Sequence, residues 1–405
     1  MTGTRVVITG AGTINALGHD VPATLAAMAA GDGGIGPLDI RDVDRLSIRI
    51  GAQVAGYDAS AHFDRAEIAL YDRFTQFAVL AAREAVTGSG LSFGGALGER
   101  CGVILGTAGG GNVTADDAYR AVYEGGRPRV HPFTVPRLMH SAAASHVCMA
   151  HDLRGPTYTL STACASSNHA MGQAFATIRA GLAPAMLTGG SEAMLSFGGI
   201  KAWEGLRVLS PEACRPFSTG RSGMVMGEGA AVFVFEARDH AIARGADILA
   251  EVAGFAMTSD ASDIVMPSVD GAARAIAGAL SDARIAPGDV GYVNAHGTGT
   301  TANDRTEAAA LSRVFDPTGA RPPVSSTKSM HGHAIGATGA IELLACILAL
   351  RDGVIAPTTG YLGPDPDCPI DVVANVARRA RVDVALSNAF AFGGLNAVLA
   401  LRRAG

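Results

Sequence analysis

The stretch CGVILGTAGGG, residues 101–111, begins as an apolar run and ends in glycine and small side chains. An apolar run that stops at glycine is typical of a buried strand leaving a sheet into a loop. RVVITGAG (5–12), MLTGGSEAM (186–194) and GAAVFVFEA (229–237) have the same form. Between them lie Ala-rich helical patterns such as RFTQFAVLAAREAVTGSG (73–90), which closes on glycine. This alternation predicts a layered α/β protein.

The same alternation starts again in the second half of the chain. EARDHAIARGADILAEVAGFAM (236–257) reads as a helix, a turn and a new strand. Three later stretches each read as a strand that ends in a loop of small residues: GDVGYVNAHGTGT (288–300), PPVSSTKSM (322–330) and VDVALSNAFAFGG (382–394). We therefore predict two similar halves, residues 1–245 and 246–405, fused into one body with functional loops at the strand ends.

Composition excludes several functional classes. The chain has 405 residues, of which 48% are apolar, and a formal net charge of -5 with both signs interspersed. This balance argues against a nucleic-acid-binding protein, and no apolar run is long enough to span a membrane. The six cysteines lack CxxC spacing, and the start MTGTRVVITGAG lacks the pattern of an export signal. We expect reduced thiols and a cytoplasmic location.

TLSTACASSNHAMGQAF (159–175) places Cys164 just before a predicted helix of small residues. A helix N-terminus lowers the pKa of a thiol and offers free N–H groups to a developing oxyanion. Cys164 is therefore a candidate nucleophile. The local sequence leaves open the alternative that Cys164 is a packing residue, as most buried cysteines are.

Loops of the second half favour the catalytic alternative. His296 follows a strand, Lys328 and His333 precede a helix, and Phe392 precedes a Gly-Gly loop. A cysteine nucleophile can form an acyl-enzyme, and two neutral imidazole donors can stabilise the enolate left when a malonyl thioester loses carbon dioxide. A metal site made of the HGH histidines, His296 and Cys164 is the alternative. The i, i+2 histidine spacing is not a common zinc pattern, so we expect no catalytic metal.

Together the motifs resemble those of condensing enzymes of the β-ketoacyl-acyl-carrier-protein synthase II type, over essentially the whole chain. The resemblance rests on six motifs in the family's order: RVVITGAG, STACASS, RPF…GEGA (215–230), NAHGTGT, STKSMHGH and NAFAFGGLN. It implies the thiolase fold, in which two similar α/β halves form a five-layer αβαβα body. It also implies a homodimer, with a heterodimer of related subunits as the alternative.

The implied reaction is acyl transfer from an acyl carrier protein to Cys164, followed by decarboxylative condensation with malonyl carrier protein. Phosphopantetheine would arrive on the carrier, with no cofactor bound by the protein itself. The product would serve fatty-acid, specialised acyl or polyketide chain elongation. The C-terminal motifs resemble those of nodulation-type ketosynthases, and we expect a specialised elongating enzyme.

The resemblance assigns roles to single residues. His296 and His333 would bind the malonyl thioester carbonyl, and Lys328 would pair with Glu342 and tune the histidines. The backbone N–H groups of Cys164 and Phe392 would form the oxyanion hole, with Phe392 also acting as a gate. Further matches are the entrance hydroxyls Thr298 and Thr300 and the positions that hold a structural monovalent cation in some relatives, which are Asn294, Glu342, Ser387 and Asn388.

Other positions depart from the family pattern. Gly109 and Thr134 are smaller than the usual acyl-pocket residues, which predicts a longer or differently shaped pocket. Trp203 is either another pocket-wall residue or a core aromatic. The segment RAEIALYD (65–72) has few of the basic residues that meet an acidic carrier, which leaves the arginines as candidates for carrier binding: Arg127, Arg129 and Arg207.

Two other functional classes remain open. A non-catalytic chain-length factor that pairs with a ketosynthase generally lacks the cysteine and one or more histidines, all of which are present here. A thiolase-like degradative enzyme would need a second catalytic cysteine in the C-terminal half. Cys346 lies inside a predicted helix, IELLACILAL, and is expected to be a core residue.

Overall fold

The structure of the protein, a computed structural model, describes residues 3–405. Within these residues the strands, numbered in chain order, are β1 Val6–Asn15, β2 Gly36–Pro37, β3 Ile50–Gly51, β4 Gly102–Gly106, β5 Thr157–Leu160, β6 Ala185–Glu192, β7 Gly229–Ala237, β8 Ala250–Ser259, β9 Tyr292–Asn294, β10 Val324–Ser325, β11 Val354–Ile355, β12 Arg378–Arg379, β13 Val384–Ala391 and β14 Leu395–Arg402. Ten of these strands form one large sheet.

The α-helices, numbered in the same way, are α1 Val21–Ala30, α2 Arg65–Leu70, α3 Arg73–Ser89, α4 Gly95–Gly98, α5 Asn112–Tyr123, α6 Thr134–Leu138, α7 Ala142–Ala150, α8 Ser166–Arg179, α9 Phe197–Gly205, α10 Arg238–Ala243, α11 Val269–Ala283, α12 Thr301–Phe315, α13 Lys328–His331 and α14 Thr338–Asp352. Local signals fix their ends. For example, Asp72 caps the N-terminus of α3, where its carboxylate accepts the N–H of Phe74, and Gly90 caps the C-terminus in the left-handed conformation.

The two halves of the chain have the same strand order. The first half contributes β1-β7-β6-β4-β5 and the second contributes β8-β14-β13-β9-β10. If the large-sheet strands are counted from one within each half, both orders read 1-5-4-2-3. The halves meet where β1 pairs antiparallel with β8, with Val6–Ile8 opposite Ala250–Val252. The predicted architectural repeat is therefore present, and the boundary between the two halves lies between β7 and β8.

The helices complete a five-layer arrangement. Helices α8 and α14 contact strands of both halves and form the central layer. Helices α3 and α7 cover the outer side of the first half, while α11, with α12 against it, covers the second. Residues 338–350 of α14 are all buried, as expected of a helix enclosed on every side. The thiolase-type αβαβα body expected from the resemblance is confirmed.

Both central helices are entered through the same kind of turn. A 3-10 turn at Ala163–Ala165 leads into α8, and one at Ile335–Ala337 leads into α14. The first residue of each turn has a positive φ, 48° at Ala163 and 41° at Ile335, which is unfavourable for residues with a Cβ. Cys164 and Gly336 are thus equivalent positions in the two halves.

All six cysteines are unpaired. Among residues 3–405, none of the helices combines the length and the apolar character that crossing a bilayer requires.

Candidate active site

Three predicted catalytic side chains from two halves of the chain meet at one point. The Sγ atom of Cys164 and one ring nitrogen from each of His296 and His333 all lie within 4.8 Å of one another. Cys164 precedes α8, His296 follows β9, and His333 precedes α14. The meeting point therefore lies where the strand-end loops of the two halves converge, as the strand pattern predicted.

Cys164 is buried at the N-terminus of α8. Burial raises the pKa of its thiol to about 12, against the lowering effect of the Lys328 charge and of the backbone N–H groups of Phe392 and Cys164 itself. The thiol is therefore protonated at rest. The two N–H groups that act on the sulfur are those that the resemblance assigns to the oxyanion hole.

The surroundings of His333 determine which ring nitrogen carries its proton. The backbone N–H of Ile335 donates to His333 Nδ1 at 3.1 Å, and the hydroxyl of Thr338 lies 2.9 Å from the same atom. A backbone N–H can only donate, so Nδ1 is the acceptor and Nε2 carries the proton. Nε2 is buried and has no partner in the described residues. The ring therefore presents a free N–H donor to the cavity.

The pKa values of both histidines favour the neutral form. Burial lowers the pKa of His296 and of His333 well below the usual 6.5, and the charge of Lys328 lowers it further. The two rings pack edge to face with centroids 5.5 Å apart. Lys328 Nζ donates to the backbone oxygen of His296 and to Glu342 Oε1, the latter at 2.6 Å. Burial raises the pKa of Glu342 to about 7, although the Lys328 charge lowers it.

The three side chains open into a cavity of about 90 Å³. Thr298, Thr300, Trp203 and Phe392 also line it, and the two threonine hydroxyls lie 2.8 Å apart. The Trp203 indole stacks on the Phe392 ring with centroids 6.0 Å apart. Of the two alternatives for Trp203, the structure places this side chain in the cavity wall.

Family models match most of this chain. Residues 3–241 match the family described as "Beta-ketoacyl synthase, N-terminal domain", and residues 249–362 match "Beta-ketoacyl synthase, C-terminal domain". The chain belongs to the β-ketoacyl synthase family.

Relatives within this family align along the whole chain. "Nodulation protein E" of Rhizobium sp. (strain N33) is 47% identical, with 98% of this chain and 99% of the relative covered. "3-oxoacyl-[acyl-carrier-protein] synthase 2" of Staphylococcus aureus (strain N315) is 40% identical, with 98% of each covered. The solved structure titled "The ishigamide ketosynthase/chain length factor" superposes with a TM-score of 0.94 at 34% identity, and 100% of both chains is covered.

Several residues predicted from the β-ketoacyl synthase pattern lie outside the cavity. Gly109 follows β4, and its N–H donates to Glu192 at 3.0 Å. Thr134 is buried and lines a separate cleft together with Arg127 and Arg129. Arg127, Arg129 and Arg207 are all exposed. Neither Gly109 nor Thr134 lines the cavity at Cys164, so their part in an acyl pocket stays a prediction.

Three of the four positions expected to hold a cation lie side by side on β9 and β13. Strand pairing puts Asn294 directly opposite Ser387, with Asn388 next along β13. Three of their oxygens are buried with no partner in residues 3–405: Asn294 Oδ1, Ser387 Oγ and Asn388 Oδ1. Glu342, the fourth position, is buried in α14, and its Oε1 accepts from Lys328 Nζ at 2.6 Å. Unpaired neutral oxygens of this kind fit a weakly charged, oxygen-coordinated cation.

Two acidic residues that the sequence analysis missed hold the His296 loop. Glu307 accepts the backbone N–H groups of His296 and Gly297 at 2.8 and 2.7 Å. Asp304 accepts those of Thr298 and Gly299 at 3.1 and 3.2 Å. The signal was present in the sequence, because Asp304 and Glu307 are three residues apart and share one face of α12. An acidic pair on the face of α12 that also carries the buried Ala308 and Leu311 points to backbone amides that need an acceptor.

Proposed function

We propose that the protein is a β-ketoacyl-acyl-carrier-protein synthase that forms an acyl-enzyme on Cys164 and extends it with a malonyl unit. The observation that carries this proposal is the cluster of one buried thiol and two neutral imidazoles within 4.8 Å. Two neutral donors beside a nucleophile suit a reaction that develops negative charge on an oxygen.

In the first half-reaction the Cys164 sulfur attacks the thioester carbonyl of the acyl carrier protein. The N–H groups of Cys164 and Phe392 bind the oxyanion, and the carrier's phosphopantetheine thiol leaves with the proton that the cysteine gives up. The buried thiol is a poor nucleophile while protonated, because its pKa is about 12. Binding of the carbonyl next to the N–H groups favours attack by stabilising the oxyanion rather than the free thiolate.

In the second half-reaction the carbonyl of malonyl carrier protein accepts hydrogen bonds from His333 Nε2 and from His296. The carbon–carbon bond to the carboxylate breaks, carbon dioxide leaves, and the electron pair is held as an enolate. The enolate carbon attacks the acyl group on Cys164, whose sulfur leaves and takes up one proton from solvent. Neutral histidines suit this step, since a charged imidazolium would hold the malonyl carboxylate in place by ion pairing.

A metal-dependent hydrolase is the second candidate, because a thiol and two imidazoles so close together could bind Zn²⁺. Histidines that ligate metals donate their other ring N–H to an acceptor. His333 Nδ1 instead accepts an N–H from Ile335, which puts the proton on the nitrogen that would have to bind the metal. The tautomer therefore favours a donor role for His333.

The structural monovalent cation belongs to the same proposal. Asn294, Ser387, Asn388 and Glu342 would hold it. A bound cation would supply positive charge near Glu342 and satisfy the three unpaired oxygens.

The proposed partner in catalysis is an acyl carrier protein, which would bring phosphopantetheine, so that the reaction needs no cofactor held by the protein itself. The exposed guanidinium groups of Arg127, Arg129 and Arg207 suit a phosphate or an acidic helix. We place the protein among specialised elongating enzymes, because "Nodulation protein E" is more similar to it than "3-oxoacyl-[acyl-carrier-protein] synthase 2", at 47% against 40% identity. Ordinary fatty-acid elongation is the alternative.

We also propose that two copies of this chain form a homodimer along β5. This strand is an edge of the large sheet, and large apolar side chains are exposed on it and on the neighbouring helices α5 to α7 and their connections: Tyr158 at 40%, Phe133 at 46%, Val135 at 67% and Tyr123 at 83%. A patch of this kind beside an unpaired edge suits a self-complementary interface. Light scattering on the pure protein tests it, and a monomer would count against a homodimer.

Two other roles are less well supported. A chain-length factor would not need Cys164, His296 and His333 brought together. A thiolase-type enzyme would need its second cysteine at the site. Cys346 instead lies within α14, buried, with its thiol 3.6 Å from the backbone oxygen of Leu386.

The proposed function is tested by intact-mass measurement of the protein after incubation with acyl carrier proteins of different chain lengths. We expect one acyl adduct on wild-type protein and none on Cys164→Ala. Condensation product from Cys164→Ala would overturn the mechanism, and zinc-dependent hydrolysis without any adduct would support the metal alternative.

A further inference from the structure

Glu192, the last residue of β6, has no part in the reaction steps above. Its side chain is completely buried, and its two oxygens accept four hydrogen bonds. Oε1 accepts from the Thr107 hydroxyl and from the Gly109 N–H, both at 3.0 Å. Oε2 accepts the N–H groups of Ala108 and Gly336 at 2.7 and 3.1 Å. Every acceptor direction of the carboxylate is thus used by a donor.

The four donors belong to loops from different halves of the chain. Residues 107–109 follow β4 in the first half, whereas Gly336 lies in the turn that leads into α14 in the second. The two loops touch only because residue 336 is glycine. A Cβ there would lie 2.5 Å from the backbone nitrogen of Ala108 and 2.7 Å from Glu192 Oε2. Glu192 therefore connects the two halves through hydrogen bonds beside the cavity.

The Gly336 peptide is next to the group that fixes the proton on His333. The N–H of Ile335 donates to His333 Nδ1, and the following N–H, that of Gly336, donates to Glu192. Ile335 has a φ of 41°, a strained conformation for a β-branched residue. Such a conformation is unfavourable and persists only when its surroundings hold it. The hydrogen bond from Gly336 to Glu192 is one of the contacts that hold this turn.

We propose that Glu192 is a positioning residue for decarboxylation. Its carboxylate holds the Gly336 peptide so that the Ile335 N–H stays on His333 Nδ1 and His333 Nε2 stays a donor aimed into the cavity. This role rests on the proposed function. Burying a carboxylate this deeply costs folding free energy unless hydrogen-bond donors surround it. Here the donors belong to the loop after β4 and to the turn before α14, and this turn also carries the N–H that bonds to His333.

Three variants separate this role from a general contribution to folding. Glu192→Ala removes all four acceptor contacts. Gly336→Ala keeps the carboxylate but forces the peptide away from Ala108. In Glu192→Gln the amide nitrogen can take the place of Oε1, where the Thr107 hydroxyl can accept from it but the Gly109 N–H loses its acceptor. The remaining oxygen still accepts from Ala108 and Gly336. Glu84→Ala is the matched control, because Glu84 accepts the N–H groups of Thr13 and Val21 away from the cavity.

The two half-reactions are measured separately, as carbon dioxide release from malonyl carrier protein and as acyl adduct formation on Cys164. We expect Glu192→Ala and Gly336→Ala to slow carbon dioxide release about 100-fold while adduct formation slows less than about tenfold. Glu192→Gln should lose less than about tenfold in either, and Glu84→Ala should keep the wild-type ratio of the two rates.

An equal fall in both half-reactions, or unimpaired carbon dioxide release by Glu192→Ala, would overturn the positioning role. If Glu192→Ala does not fold, Gly336→Ala and Glu192→Gln are compared instead. Equal falls in both half-reactions of Gly336→Ala, or no difference between the two variants in carbon dioxide release, would overturn the positioning role. Wild-type protein that performs neither half-reaction would instead overturn the proposed function, which separates the two failures.

Discussion

Replacing His333 with alanine should slow decarboxylation much more than acyl transfer. The structure gives His333 one free donor, Nε2–H, buried at the cavity and without a partner among residues 3–405. A preorganised donor in a site that excludes water contributes roughly 3–4 kcal/mol to stabilising a developing oxyanion. At 1.36 kcal/mol for each factor of ten, its loss corresponds to about 10²- to 10³-fold in rate.

The assay follows the conversion of malonyl to acetyl carrier protein by intact mass, and the Cys164 adduct is measured in parallel. In the proposed mechanism the N–H groups of Cys164 and Phe392, and not His333, bind the oxyanion of acyl transfer, so the adduct should form within about tenfold of the wild-type rate. His331→Gln is the matched control, because His331, the last residue of α13, is buried two residues before His333 but bonds to the Thr327 hydroxyl at 2.9 Å and does not line the cavity. Unimpaired decarboxylation by His333→Ala, or the same loss in His331→Gln, would refute the reasoning.

Three further predictions concern charge, pH and packing. Lys328→Met should destabilise the fold by roughly 3 kcal/mol, because it leaves the buried Glu342 without the Lys328 ammonium group. The fall in melting temperature should be greater at pH 8 than at pH 6, because the Glu342 carboxyl takes up a proton at the lower pH. A greater fall at pH 6 would contradict this prediction. The rate of decarboxylation should stay constant from pH 8 to pH 6, since the pKa of His296 and of His333 is well below 6.5, and a rate midpoint at or above pH 6.5 would contradict this. Because only the unfolded chain protonates these histidines near pH 6.5, the stability that is present above this pH is lost as the pH falls below it. Gly172→Ala should destabilise by about 1–3 kcal/mol in thermal unfolding, because its Cβ would lie 2.3 Å from the Phe255 ring.

The sequence was sufficient to predict the elements that carry the site. Apolar runs ending in glycine marked the strands, and the helix expected over 73–90 is observed at Arg73–Ser89. Cys164, His296 and His333 were each placed at the end of such an element, and the fold brings them together. The prediction works because the ends of neighbouring strands converge on one edge of an α/β sheet, whatever the residues between them.

Glu192 could not be predicted in the same way. Its four donors are three backbone N–H groups and one hydroxyl, which have no signature in the sequence. Their positions depend on how close the loop after β4 approaches the turn before α14. The stacking of Trp203 on Phe392 is likewise a contact between distant elements. The role of a residue that bonds to backbone groups of another loop can be identified only when the packing of the two loops is known.

The separation of the chemistry between the halves has a practical consequence. Only Val6–Ile8 and Ala250–Val252 join the two sets of strands directly, whereas α8 and α14 each pack against both. A chain cut between β7 and β8 would carry its nucleophile on one fragment and both histidines on the other. Neither fragment alone could extend an acyl chain, so recovery of condensation on mixing them would report reassembly of the two polypeptides. The protein could thus serve as its own split reporter, with turnover as the signal.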